Sequence, residues 1–575
     1  MQTAASAGES LAAGAIFTFP ALIMLGSWHR FSYLETTLIA ALGGVLGVLF
    51  TIPLRRALVR PGGLTFPEGV ATAEVLRTGE RGDTRGLLLM TAGALVAGSM
   101  KFLGGALAVF PEVAERAWRV GHSGLAYVGS NLSPALLSVG YIVRLNIAVL
   151  VFGGGALSWF VAIPIWYAMY GSPDPGLTQP ADIAWNIWTT KIRYLGVGAM
   201  AVGGLWALIS IRESLVEAVV GGLRASGPPG EGDAPPEIDE TERDVPMRVV
   251  LAGVAACVLP IAGVYVFATG RFAVAVPMAL VMIVAGFLFA AVAAYMAGLV
   301  GSSNNPISGV TIATVLFTSL VLVAIMGTDA GIEGAAAAIL VAAVVCCAAA
   351  ISGDTMQDFK AGQLVGATPW KQQVMELVGV VAAAIVVAPV LNVLLEAYGF
   401  GPKTELMPNA LQAPQATLMA SVARGVFDQN LPWGMIAIGA GLAVALISAD
   451  LELERRGSEF RMPVLAVAVG IYLPFELSVP ILAGGLISKL ALRVSDGQEA
   501  AAHRGLLLAS GLITGEALVG IGMAIPIAAS GDREFFRELV AAPSLGPVPG
   551  VILLLGVAGW LLWTASRRSR ANGLA

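Results

Sequence analysis

A polar, glycine-rich segment between two long apolar runs holds the residue types best suited to binding chemistry. Residues 351–369 bring two acids, Asp354 and Asp358, within a few positions of a base, Lys360. Charged side chains inside apolar sequence are costly, and they usually face a cavity, a partner or a proton path. The spacing therefore predicts a site for a solute that carries both charge signs, with a solvated loop as the alternative.

A weaker copy of this segment opens the chain. Gly8-Glu9-Ser10 matches Gly353-Asp354-Thr355, and a proline follows each polar stretch. A repeated polar segment in a membrane protein is typical of two structural halves with an aqueous site between them. We therefore expect the first triplet to serve the site in one half as the second triplet serves it in the other.

Three glutamates within apolar runs are candidates for carrying a proton. Glu476 follows Tyr-Leu-Pro-Phe, Glu516 lies inside the apolar run 505–529, and Glu376 stands near the start of its predicted helix. Carboxyls placed inside a membrane commonly belong to proton relays. A neutral, hydrogen-bonded structural glutamate is the alternative for each.

A second polar cluster, residues 302–309, separates two further apolar runs. Its proline cannot donate to a helical hydrogen-bond ladder and favours a break there. Irregular backbone at membrane depth is tolerated only where it is buried in protein or lines a watery cavity. The cluster is therefore predicted to line a cavity, or else to form a turn near the membrane surface. Its candidate binding residues are Asn304, Asn305, Pro306, Ser308 and Gly309.

The composition places these residues in a membrane protein. Of the 575 residues, 57% are hydrophobic and 12% are charged, against roughly 25% charged in a soluble domain. Apolar runs of about 18 residues or more are candidate membrane spans. The sequence predicts an all-α polytopic integral membrane protein with about fourteen transmembrane helices plus short or re-entrant elements. Regions 134–169 and 462–492 are each long enough for two passes.

An acidic linker rich in proline and glycine divides the chain near its middle. Such a stretch cannot bury apolar surface and is expected to be flexible. We predict an N-terminal half 1–222, a linker 223–246 and a C-terminal half 247–575. Residues 139–155 align with 469–485 at a constant offset, which indicates two pseudo-repeated halves and puts Asn146 at the position equivalent to Glu476.

Several motifs resemble those of the oligopeptide transporter (OPT) family. Ser302–Thr314 is similar to its Asn-Pro-x-Ser-Gly motif, and Ser352–Gln373 resembles its most characteristic stretch. Phe66–Leu76, Ser133–Tyr141 and Gly470–Pro474 are also similar to family patterns, which adds Tyr141 and Tyr472 to the candidate binding residues. The resemblance covers nearly the whole chain and is closer to the bacterial and yellow-stripe-like branch than to the fungal branch.

The resemblance implies a proton-coupled importer of small peptides rather than an enzyme. Asp354 or Asp358 would hold the amino end of a peptide, and Lys360 or a half-helix N-terminus would hold its carboxylate. Broken helices at 302–309 and 351–369 would line the site. Import of metal–chelator complexes is the alternative, and a passive channel or a membrane-embedded enzyme is less favoured. The family usually has about sixteen helices, so the first helix pair of the N-terminal half is expected to be missing.

The sequence also bears on ATP, metal and nucleic-acid binding and on the orientation in the membrane. Without a Gly-x-x-x-x-Gly-Lys-Ser/Thr motif, direct use of ATP is not expected. The three histidines lack metal-ligand spacing, so no cofactor or resident metal is predicted, and no nucleic acid. Arginines concentrate in 55–85, 455–461 and 567–570. By the positive-inside rule these loops, and the C-terminus, are expected on the cytoplasmic side of the plasma (inner) membrane.

Overall fold

The fold is helical throughout most of the chain, as the composition predicts. Within the part of the chain that the computed structural model describes, fourteen helices are long and apolar enough to cross a membrane. This confirms the predicted class and number of crossings. The described residues are 1–59, 64, 66–79, 84–121, 124–210, 212, 239–302, 305, 307–401, 410–411, 413–458, 460–495, 499–532, 535–536 and 543–567.

Unit 1 is one of two compact units into which the chain divides. It comprises residues 1–82, 203–395 and 399–431, so it draws on both sides of the predicted linker. Short 3₁₀ turns at Glu240–Glu242 and Thr328–Ala330 accompany its helices. These helices are α1 Gln2–Met24, α2 Tyr33–Leu58, α3 Pro67–Gly79, α9 Met247–Thr269, α10 Phe272–Val300, α11 Ile307–Met326, α12 Gly331–Val365, α13 Pro369–Ala397 and α14 Pro414–Phe427.

Unit 2 comprises residues 83–202, 396–398 and 432–575. Three short π-helical segments, Phe102–Ala106, Leu157–Ala162 and Trp188–Ile192, interrupt its α-helices. The end of its helix α8 is assigned to unit 1. The elements are α4 Thr84–Lys101, β1 Val113–Val120, β2 Gly124–Asn131, α5 Pro134–Ala156, α6 Ile163–Tyr170, α7 Pro180–Ile187, α8 Arg193–Ser210, α15 Trp433–Arg455, α16 Val464–Tyr472, α17 Phe475–Val494, α18 Glu499–Ser530 and α19 Pro547–Ser566.

Helix α12 is the central helix of unit 1. Its 35 residues are buried almost without interruption from Gly334 to Gln357. Small residues on the neighbouring helices allow this close packing. A Cβ atom built on Gly14 of α1 would lie 2.8 Å from Cys347 Cα, and one on Gly47 of α2 would lie 2.6 Å from Ala348 O. Neither glycine could be enlarged without moving a helix.

The predicted break in segment 351–369 is wrong. Helix α12 continues unbroken through Val365 and ends at Gly366, which takes a left-handed conformation with φ of 76°. No proline interrupts the segment before 369, and partners on other helices satisfy its polar side chains; Ser352 Oγ, for example, donates to Ala290 O at 2.7 Å. The solvated loop is excluded too, because Asp358 is 2% exposed.

Residues 302–309 lie where one candidate membrane span ends and the next begins, so the choice between a cavity-lining break and a turn near the membrane surface stays a prediction. Helix α10 ends at Val300, Gly301 follows with φ of 90°, and α11 begins at Ile307. The predicted binding residues Asn304 and Pro306 lie outside the described residues.

Glycines set the contact between α5 and the pair α16 and α17 in unit 2. At each of four glycines, a Cβ atom would lie about 2 Å from a backbone oxygen of the facing helix, so the backbones touch directly. The glycines form two pairs separated by the same offset that relates 139–155 to 469–485, which supports the duplication. The contacts are Gly140 with Ile481 O, Gly154 with Val467 O, Gly470 with Val151 O and Gly484 with Leu137 O.

The expectation of two passes in each long apolar region is wrong. Region 134–169 forms one helical run, α5 to α6, joined through the π-helical segment between them. Region 462–492 breaks at Leu473 and Pro474 into α16 and α17. Helix α16 has nine residues, about 14 Å of rise, which is too short for a hydrocarbon core of about 30 Å.

The hairpin formed by β1 and β2 is the one element of sheet among the described residues. The two strands pair antiparallel, from Val113 opposite Asn131 to Val120 opposite Gly124. The all-α expectation contains no such element. The hairpin matters because it carries a buried tyrosine, Tyr127, into the aromatic core of unit 2.

Candidate functional site

Two acids of α12 lie one helical turn apart and meet the first helix of the chain. Asp354 and Asp358 have the i, i+4 spacing that places side chains on one helix face. Ser6 Oγ donates to Asp354 Oδ2 at 2.5 Å, and Gln2 Nε2 donates to Asp358 Oδ1 at 2.6 Å. The predicted acids are thus held by neutral donors from α1.

Glu376 of α13 completes what we call the acid cluster, Asp354, Asp358 and Glu376. Its side chain is fully buried and lies within electrostatic reach of both aspartates. Glu376 lies within hydrogen-bonding reach of Asp358 and Thr355, but among the described residues neither of its carboxyl oxygens has a partner of good hydrogen-bond geometry, and the same is true of Asp358 Oδ2 and Thr355 Oγ1. Buried oxygens without partners are rare and mark a strained or functional position.

The acid cluster is suited to holding an exchangeable proton. Three ionised carboxylates in one buried place would repel one another, and a proton shared between two of them removes that repulsion. The shared proton would also supply the missing hydrogen bond at Glu376. Glu9 is a further charged group that acts on Asp354.

The first-half triplet lies where the repeat predicts a partner for the second. Ser10 and Glu9 are within reach of Asp354, although Glu9 itself is exposed. A Cβ atom at Gly353, the residue before Asp354, would lie 2.2 Å from Asn305 Nδ2. Asn305 therefore packs against α12 one residue before Asp354, although none of the described hydrogen bonds joins the two side chains.

Lys360 is not joined to the acid cluster by any described hydrogen bond. Its Nζ instead donates to Gln363 Oε1 at 3.0 Å on the same helix. Ser308 is half-buried and Gly309 is buried in the first turn of α11. Their predicted binding roles stay predictions.

Glu476 lies in the first turn of α17, immediately after the break at Pro474. Its Oε2 is 3.3 Å from the hydroxyl of Tyr127. The break also frees the carbonyl of Ile471, which accepts from Ser158 Oγ at 3.1 Å and Trp188 Nε1 at 3.3 Å. Ser158 and Trp188, from the second and third π-helical segments, thus satisfy a backbone carbonyl that a continuous helix would have satisfied itself.

Glu516 of α18 holds the N-terminus of α5. Its carboxylate accepts hydrogen bonds from Ser133 Oγ at 2.8 and 2.9 Å and from Ala135 N at 2.9 Å. A negative charge at a helix N-terminus is stabilised by the helix dipole. These contacts give Glu516 a structural role, and its predicted proton role stays a prediction.

The comparison with known proteins decides the family. Residues 1–527 match the profile described as OPT oligopeptide transporter protein. The chain belongs to the OPT family. A Haemophilus influenzae protein that carries a provisional name as an oligopeptide transporter is 37% identical over 555 residues, which are 92% of this chain and 87% of that protein. The resemblance drawn from the motifs is confirmed.

Three predicted residues of this OPT chain belong to unit 2. Tyr141 is buried, and its hydroxyl fills the space beside Gly505. Tyr472, at the end of α16, is buried against Gly196. Asn146 is exposed. Burial and packing alone do not assign a ligand to these residues, so their binding roles stay predictions.

Sequence reasoning missed two residues that organise the broken helix of this OPT protein. Glu68, in the first turn of α3, accepts hydrogen bonds from the backbone N–H and the hydroxyl of Ser302, directly after the break. Gln357 of α12 accepts from Gly69 N at 2.7 Å and donates to Ala297 O at 2.5 Å. Both residues stand in the motifs that carry the family resemblance, which was the available signal.

Proposed function

We propose that this OPT protein is a proton-coupled importer of small oligopeptides that works by alternating access. The observation that carries the proposal is the acid cluster on membrane-spanning helices, in which Asp358 and Glu376 are buried and all three carboxyls lie within electrostatic reach of one another. Intramembrane carboxyls of this kind serve as proton sites in transporters. The family and the name of the Haemophilus influenzae relative support an oligopeptide as the substrate.

The surroundings of Asp354 support it as the site for the peptide ammonium. Its carboxylate already accepts from Ser6, and Asn305 packs against Gly353, the preceding residue of α12. A bound ammonium would offset part of the negative charge of the cluster. Binding of peptide and proton would then be coupled through one group of carboxyls, because the charge of one changes the affinity for the other.

The proposed setting is the plasma (inner) membrane, with the C-terminus in the cytoplasm. The arginine-rich loops support this orientation through the positive-inside rule. The discontinuity at Pro474 supports a transport cycle, because interrupted helices commonly form the central sites of secondary transporters.

The test is uptake of labelled di- to tetrapeptides into proteoliposomes with and without an inward proton gradient. We expect the parent to accumulate peptide only with the gradient. Glu376→Gln should abolish accumulation while leaving gradient-free exchange of peptide, because it removes the proton site and not the substrate. Glu333→Gln, an exposed glutamate in the first turn of α12, is the matched control and should behave as the parent.

Other outcomes would contradict the proposal in different ways. Gradient-driven accumulation by Glu376→Gln at the parental level would remove the acid cluster from coupling. Equilibration of peptide without accumulation would indicate a passive channel. Transport of metal–chelator complexes with no peptide uptake would replace the substrate class.

A further inference from the structure

A single hydroxyl on the hairpin of unit 2 stands between two carboxyls. Tyr127 Oη lies 2.6 Å from Glu115 Oε2 on the neighbouring strand and 3.3 Å from Glu476 Oε2 on α17. Tyr127 and Glu476 are buried, at 2% and 3% exposure, whereas Glu115 is exposed. The three groups form a short line from the surface of unit 2 to a buried acid.

The number of hydrogens in this line is limited. A phenol has one hydrogen to donate, and an ionised carboxylate can only accept. The short contact with Glu115 uses the phenol hydrogen, because charge-assisted O–H···O bonds are the short ones. The longer contact with Glu476 becomes a hydrogen bond of full strength when Glu476 carries a proton and donates it to the phenol oxygen.

We propose that Tyr127 relays protons between exposed Glu115 and buried Glu476. In the inward direction, the carboxyl hydrogen of Glu115 passes to Tyr127 Oη while the phenol hydrogen passes to Glu476 Oε2. Glu115 becomes a carboxylate and Glu476 becomes a neutral acid. The phenol O–H turns towards Glu476 once Glu115 carries a proton, and after the transfer the new phenol hydrogen again points to Glu115, so the phenol is unchanged. The relay rests on the proposed proton coupling and assigns a path to the predicted proton site at Glu476.

The packing around Tyr127 fixes the geometry that such a relay needs. Its ring centroid lies 4.4 Å from that of Trp159 and 6.3 Å from that of Trp185, which meets it edge-on. The ring therefore has little freedom, while the hydroxyl can rotate. Burial and the negative charges of Glu476 and Glu115 raise the pKa of Tyr127. The phenol thus keeps its hydrogen at neutral pH and passes protons without becoming an ion.

The experiment follows protonation of Glu476 directly, by time-resolved infrared spectroscopy of the full chain in liposomes after a pH jump. The signal is the carboxylic acid band that is lost in Glu476→Gln. We expect Tyr127→Phe, which keeps the ring packing, to slow the appearance of this band by about a hundredfold. Glu115→Gln changes an exposed side chain and should slow it as well. Tyr170→Phe, at an exposed tyrosine, is the matched control.

The outcomes separate the relay from the proposed function. A parental rate in both Tyr127→Phe and Glu115→Gln would overturn the relay, as would the absence of any band that depends on Glu476. A slowed band in a parent protein that shows no proton-driven peptide uptake would support the relay and contradict the proposed function. Proton-driven uptake that is equally fast in parent and Tyr127→Phe would contradict the relay alone.

Discussion

Arg55 holds Asp244 through two nitrogens, with Nε 2.6 Å from Oδ1 and Nη2 3.0 Å from Oδ2. Arg55 is 2% exposed, and Gln373 of α13 donates to the same carboxylate. The C-terminal end of the predicted linker 223–246 is thereby fixed to the end of α2 and the start of α13. The ion pair between Arg55 and Asp244 is bidentate, and a lysine cannot form two such parallel hydrogen bonds.

We therefore expect Arg55→Lys to lower the stability of the protein in detergent. The loss of one charge-assisted hydrogen bond at a buried pair corresponds to about 2 kcal/mol in the free energy of unfolding, measured as a lower thermal midpoint. Arg424→Lys disrupts an exposed pair with Asp428 and should change the midpoint little. Equal midpoints for the two variants would show that the contact with Asp244 contributes little.

The hydroxyl of Ser6 should matter for substrate affinity more than for folding. If Asp354 holds the peptide ammonium, Ser6→Ala removes the donor that positions its carboxylate, and we expect KM for peptide to rise about tenfold. Steady-state uptake in proteoliposomes measures this. Ser448→Ala, which removes an exposed helical serine bonded to Val444 O, is the control. An unchanged KM in Ser6→Ala would argue against Asp354 as the ammonium site.

Adjacent glycines of α5 offer a matched test of the helix contact. A Cβ atom at Gly154 would lie 2.1 Å from Val467 O, whereas one at Gly153 would meet nothing within 4 Å. Gly154→Ala should destabilise unit 2 by about 2 kcal/mol through overpacking. Gly153→Ala should be neutral or stabilise by up to about 1 kcal/mol, because alanine is the better helix former. Thermal unfolding in detergent compares the two, and similar midpoints would contradict the close backbone contact.

Glu516 allows the structural and proton roles to be separated. As an acceptor for Ser133 and Ala135 at the start of α5, it should contribute about 1 kcal/mol to stability. If its role is structural alone, Glu516→Gln lowers the thermal midpoint while proton-driven accumulation stays at the parental level. Peptide uptake and unfolding are measured on the same preparation. Loss of accumulation with an unchanged midpoint would instead assign Glu516 to the proton path.

The membrane class, the number of crossings and the family followed from the sequence, because the length of an apolar run determines whether it can span a bilayer. The course of segment 351–369 did not. Polar residues there leave the helix intact because Gln2 and Ser6, from the opposite end of the chain, satisfy Asp358 and Asp354. Sequence patterns record local preference and not such distant partners. For the same reason, the sequence does not reveal that Glu376 lies beside the two aspartates.

The hairpin and the buried position of Tyr127 also could not be predicted from the sequence. Strands of eight residues between apolar helices give only a weak alternating pattern, and the burial of Tyr127 depends on three tryptophans from later segments. Glu476, by contrast, was found by its position after a proline in apolar sequence. A buried carboxyl can be recognised from the sequence, but its hydrogen-bond partners from distant segments cannot.

Helix α5 packs along both α16 and α17 and so stiffens the interruption between them. The backbones of α16 and α17, on either side of Pro474, contact the backbone of the single continuous helix α5, through Gly470 of α16 and Gly484 of α17. Such contacts leave no layer of side chains that could slide or yield. The interruption is therefore a rigid bend and not a hinge, and it holds Ile471 O and the first turn of α17 at a constant angle. Any movement during a transport cycle must bend the chain elsewhere.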